Sequence, residues 1–127
     1  MPALEPVEGL RVVAASAALD AARWDGGDVD VLRIAPYEGI GIGATGVQVD
    51  GDPDAIVEPE TGFSVALLGA ELETLAAHTD WPIPETAGSL AQGKVAGVPV
   101  KLLVGEPTLL IVQTAYANEL RTRLGWS

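Results

Sequence analysis

Between Ser89 and Leu124 apolar runs and turn signals follow one another so closely that little except a strand meander closed by a helix satisfies them. Ser89–Val95 leads into the turn pair Ala96-Gly97, Val98–Gly105 into Glu106-Pro107, and Thr108–Thr114 into a helix over Ala115–Leu124. Strands joined by turns this short pair antiparallel. In the helix, Thr114 is the expected N-cap, and Tyr116, Leu120 and Leu124 recur at i, i+4 and i+8. Glu119 and Arg123 stand four residues apart, as an ion pair on one helix face requires. Arg121 and Arg123 lie where the helix dipole favours cations.

The upstream chain reads as further pieces of the same class. Gly9–Ala15 reads as a short strand or an extended arm, and Ser16 as an N-cap for a helix over Ala17–Trp24 that stops at Asp25-Gly-Gly. Val29–Ala35 and Gly39–Gly43, joined by Pro36-Tyr-Glu, predict a hairpin in which Ile40 and Ile42 share a face. Gly62–Leu68 predicts a strand and Ala70–His78 a helix that Asp80-Trp-Pro-Ile-Pro ends. At 127 residues and 48% apolar content the chain is expected to be one α+β domain, 1–127, largely antiparallel with about three helices. Residues 1–8 are expected as a flexible arm and residues 44–60 as an acidic loop excursion.

Charge narrows the partners. The net charge is −11, and from Asp25 to Glu85 thirteen acids face Arg33 alone. Nucleic acid and anionic membrane both need clustered Lys and Arg, and the seven bases here are scattered, so neither is expected as a partner. No run approaches the ~18 uninterrupted apolar residues of a membrane span. The N-terminus has neither the basic region nor the apolar region of a secretory leader, and cysteine is absent, so a cytoplasmic location is expected.

Several motifs tempt and fail. Gly41-Ile-Gly-Ala-Thr-Gly46 fits G-x-G-x-x-G, yet strand-like residues follow Gly46 where a helix N-terminus must meet the pyrophosphate, so no nucleotide cofactor is expected. Asp50-x-Asp52-x-Asp54 opens like an EF-hand loop, but Ala55 replaces its glycine and Thr61 its bidentate glutamate. Either a weak adventitious cation site or a solvated acidic turn fits that stretch, and no metal is assigned. His78 is the single histidine, without cysteine to share a zinc ion; near a helix end it suits the dipole. Ser64 lacks the second glycine of a nucleophile elbow, and the pairs Glu58/Glu60 and Glu71/Glu73 lack surrounding aromatics. No catalytic residue is assigned. Trp81, Tyr116 and Trp126 are candidates for an interface, with Trp81 and Trp126 at element ends open to a second reading as lids on a core.

Leu90–Val104, Leu109–Val112 and Ala115–Leu124 resemble the C-terminal part of the gamma subunit of heterotetrameric sarcosine oxidase, and through it the folate-binding domains of the aminomethyltransferase type. A strand of the form small-Gly-Val-Pro-Val before an apolar strand and an aromatic-containing helix carries the likeness, which is confined mainly to residues 89–124. The resemblance implies an aminomethyltransferase-like α+β fold and a non-catalytic accessory subunit beside larger chains that carry flavin and folate. The partner is then a larger enzyme subunit or a second copy of the chain. The alternative is a module binding an amine metabolite on the sheet face or through the 44–60 loop, with Asp50, Asp52, Asp54 and Glu58 as the candidate carboxylates.

Overall fold

The computed structural model describes residues 3–126, which form two compact units: residues 3–6 with 62–126, and Val7–Thr61. The element order is β1 (Glu5–Val13), α1 (Ser16–Asp20), β2 (Arg23–Asp25), β3 (Asp30–Ala35), β4 (Glu38–Ile42), β5 (Gly46–Gln48), β6 (Ile56–Leu68), α2 (Glu71–Ala76), β7 (Leu90–Val95), β8 (Val98–Leu103), β9 (Thr108–Gln113) and α3 (Thr114–Leu124). The chain passes from one unit to the other along β1 and β6. The α+β class, the three helices and the antiparallel pairing agree with the sequence-based expectation. No helix among the described residues is long and apolar enough to cross a membrane.

The larger unit is the meander that residues 89–124 predict, with β6 added. Its strand order is β6-β9-β8-β7, antiparallel throughout. Ala96 and Gly97 both take positive φ (49° and 82°), the combination that a two-residue hairpin turn needs to match strand twist. One sheet face presents Ala66, Leu68, Val100, Leu102, Leu110 and Val112 to Leu75 of α2 and to Ala117 and Leu120 of α3. The α3 stripe is therefore Ala117 and Leu120 with Leu124 beside them, and Tyr116, expected on that stripe, is 41% exposed. Thr114 is the first helical residue rather than a cap, and its hydroxyl pairs with that of Ser64 at 2.9 Å. Ser64 lies buried in mid-strand, no place for a nucleophile elbow. The helix ends on Gly125 at φ 71°, with the Trp126 N–H donating to the Arg121 carbonyl at 2.8 Å, a C-terminal cap that frees Trp126 to pack on the core. Glu119 and Arg123 form the expected ion pair.

In the smaller unit, β3, β4 and β1 pair in that order, and β2 pairs with β5 as a separate ribbon. The predicted hairpin is β3–β4, with Ile40 and Ile42 both buried. The predicted helix over Ala17–Trp24 is shorter: α1 stops at Asp20 and residues 23–25 are strand. Asp25-Gly-Gly stops the element as expected, but the pairing of Trp24 with Val47 takes the last turn away from the helix. Ser16 is also inside α1 rather than capping it; its hydroxyl accepts from Arg33, whose guanidinium also reaches Asp20 at 2.8 Å.

Two further expectations are corrected. The arm placed at residues 1–8 is strand from Glu5 on, and Leu4 is buried in the larger unit's core with its carbonyl held by Arg121; residues 1–2 lie outside the described residues. The start of this strand was hidden because Glu5, Pro6 and Glu8 are exposed and leave no apolar alternation to read. The excursion at 44–60 contains β5 and the first five residues of β6. The exposed acids of Ile56–Glu60 mask a strand that extends the predicted one to thirteen residues.

Candidate functional site

The four carboxylates of the acidic loop do not converge. Asp50 pairs with Arg23 at 3.2 Å and accepts from the Gln48 amide. Asp52 accepts from the Ala15 N–H at 2.8 Å and from the Asp54 N–H at 2.9 Å, and these two bonds hold its carboxyl below the ordinary aspartate value. Asp52 thus joins the loop to the start of α1, where the backbone N–H groups need acceptors. Glu58 lies 3.3 Å from Arg11, whose pKa is raised mainly by its hydrogen bond to Glu38 at 2.6 Å. Only Asp54 of the four keeps its carboxylate free of a partner among the described residues. Asp50, Asp52 and Glu58 thus each tie to a different part of the fold, and no group of three or more His, Asp or Glu able to hold a metal occurs among the described residues.

The glycines of the G-x-G-x-x-G stretch have structural work. A Cβ on Gly41 would lie 2.4 Å from the Trp24 ring, so Gly41 is the seat on which that indole rests. Gly43 has φ 85°, the left-handed region in which glycine is at home. Gly46 opens β5 rather than a helix, so no N-terminal amides face a phosphate there.

Of the aromatic candidates, Trp81 lies flat against β7. A Cβ on Gly93 would meet its ring at 2.5 Å, and its Nε1 donates to the Lys94 carbonyl at 2.8 Å. Trp126 packs half-buried on the same core. Both therefore pack on the core, and in the larger unit the large apolar side chains left in solvent among the described residues are Tyr116 on α3 and Leu67 on β6, the latter 59% exposed. Strand parity alone reveals Leu67: in the run Ala66-Leu67-Leu68 the outer residues face the core and the middle one cannot. His78 follows α2, its N–H on the Leu75 carbonyl and its own carbonyl accepting from Ala96 at 2.9 Å.

A feature that no motif announced lies between α2, the segment after it and the β8–β9 loop. A groove of about 700 Å³ runs past Leu72, Ile83, Val104 and Thr108, with Glu85 and Glu106 at its edge. It continues into a second concavity of about 470 Å³ that shares Leu72, Glu106 and Thr108 and reaches Leu68 and Pro107. The loop wall is set by Thr108, whose buried hydroxyl donates to the Gly105 carbonyl at 3.0 Å and accepts from the Gly105 N–H at 3.3 Å. Each glutamate is next to a proline, a turn signal readable in sequence, but nothing local says that two such turns meet over one helix.

Fold and surface together define a small α+β protein with three helices and antiparallel sheet, and with an aliphatic, acid-edged groove beside α2. No family model matches the sequence, and no curated protein matches it. Among solved structures it is similar to a chain of heterotetrameric sarcosine oxidase from Corynebacterium sp. U-96, a structure in complex with pyrrole 2-carboxylate. The TM-score is 0.69 at 15% identity, over 97% of this chain and 79% of that chain. At that identity the likeness is one of fold, and it extends over far more of the chain than residues 89–124.

Proposed function

We propose that this chain is a non-catalytic accessory subunit of a multi-subunit amine-oxidising enzyme, comparable to the gamma subunit of sarcosine oxidase, and that it works in the cytoplasm by contact with a larger, flavin-carrying chain. The observation that carries the reading is the shared fold with a chain of a heterotetrameric oxidase across nearly the whole length. The chemistry of the side chains supports it. Among the described residues the lone His78 is held through its backbone, Ser64 is buried against Thr114, and Asp50, Asp52 and Glu58 are held by intramolecular partners. An amine-binding role for the 44–60 loop would need those same acids to point at one space, and they point at Arg23, the Ala15 N–H and Arg11.

The test is affinity capture of the tagged chain from its own cytosol, read by the visible absorbance of flavin in the eluate. A fixed ratio of flavin to this chain across salt washes is expected. An eluate without flavin, from a chain whose melting temperature rises instead with an added amine metabolite, overturns the reading.

A further inference from the structure

We propose that the groove between α2 and the β8–β9 loop is the docking site for a segment of the partner protein that carries aliphatic side chains together with Lys or Arg. The inference rests on the subunit reading above and says which face of this chain meets the partner and what chemistry it meets. The floor is aliphatic, from Leu72, Ile83 and Val104, and the edge carries Glu85 and Glu106. No Lys or Arg lines either concavity. Neither glutamate has a hydrogen-bond or ion-pair partner among the described residues, in contrast to Asp50, Asp52 and Glu58. An aliphatic floor under an edge of unpaired carboxylates is complementary to an apolar segment with cationic side chains.

Two other occupants fit less well. A second copy brings a net charge of −11 against −11, and four of its five arginines, Arg11, Arg23, Arg33 and Arg123, are already ion-paired. A small organic cation needs walls that remove most of its surface from water. Here Ala76, Pro84, Glu85 and Glu106 are themselves solvent-exposed, which suits a segment laid along the groove.

The experiment uses the full chain, isotope-labelled, titrated with a short amphipathic peptide built of Leu-Lys-Lys-Leu blocks, its counterpart built of Leu-Glu-Glu-Leu blocks, and n-hexylammonium chloride. The lysine peptide is expected to shift the amides of Leu72, Ile83 and Val104, and the glutamate peptide to leave them in place. Glu85→Lys with Glu106→Lys is expected to weaken the lysine peptide about tenfold, since two exposed charge contacts are each reversed. Asp28→Lys with Asp54→Lys, both exposed and lining neither concavity, changes the net charge equally and is expected to leave the affinity within about twofold. Equal weakening by the two double variants overturns the site in favour of general charge attraction, and hexylammonium binding as tightly as the peptide overturns it in favour of a small cation. The subunit reading is judged separately. A flavin-bearing complex that survives Glu85→Lys with Glu106→Lys rejects the groove alone, whereas failure of the unaltered chain to capture any flavoprotein rejects the subunit reading.

Discussion

Replacing Gly93 by alanine tests whether Trp81 belongs to the fold. The new Cβ would lie 2.5 Å from the indole Cε2 and 2.7 Å from Nε1. Ordinary carbon contact is about 3.5 Å, so the ring must retreat by about 1 Å. That retreat stretches the 2.8 Å bond from Nε1 to the Lys94 carbonyl beyond hydrogen-bonding range. The lost bond costs about 1 kcal/mol and the overpacking about 2, while alanine in a strand regains about 0.7 relative to glycine. The net expectation is a destabilisation of about 2 kcal/mol. With the ring removed by Trp81→Ala, the space opens and Gly93→Ala should instead stabilise by about 0.7 kcal/mol. Urea unfolding of the four members of this cycle should therefore show a coupling of about 3 kcal/mol. If Gly93→Ala costs as much without Trp81 as with it, the ring does not rest on Gly93 and the lid assignment fails.

Other positions differ in the same way. Gly9→Ala places a Cβ 2.1 Å from the Gly41 carbonyl oxygen, a backbone atom that cannot turn aside, so a loss of about 3 kcal/mol is expected in urea; Gly69→Ala meets nothing within 4 Å and should be neutral or stabilising by about 0.5. Thr108→Val keeps the shape of the β8–β9 loop wall but leaves the Gly105 N–H and carbonyl without their buried partner, an expected loss of about 1.5 kcal/mol in the same assay. Asp52 has a folded pKa below its ordinary value of 3.8, so the unfolded chain binds more protons in that range. The stability this gives is present above pH 3.8 and lost as pH falls through the depressed folded value. Asp52→Asn should accordingly flatten the acid limb of stability against pH, and an unchanged slope would refute its role as acceptor for Ala15 and Asp54.

The parts legible in sequence are those whose periodicity and turn chemistry agree. Residues 89–124 are the clearest case, because Ala96-Gly97 and Glu106-Pro107 punctuate strands that need only local partners. The β3–β4 hairpin is legible for the same reason. The rest depends on distant neighbours. Residues 23–25 become strand through pairing with Gly46–Gln48, more than twenty residues on, and no helical propensity in Ala17–Trp24 anticipates that. The first part of β6 is hidden by Glu58, Pro59 and Glu60, and the first part of β1 by the exposed Glu5, Pro6 and Glu8. At the surface, the acidic motif at Asp50–Asp54 was visible but its partners were not, since Arg23 and the Ala15 N–H reach it only through the fold. The groove edge was invisible because Glu85 and Glu106 are joined by tertiary structure alone.

Light scattering across a size-exclusion peak, taken on the chain captured from its own cytosol and monitored for flavin, tests the central claim most directly. The expected result is a peak in which this chain co-elutes at constant ratio with a larger flavin-absorbing chain, far above 13.1 kDa. A peak at 13.1 kDa without flavin, at low and at moderate salt alike, would contradict it.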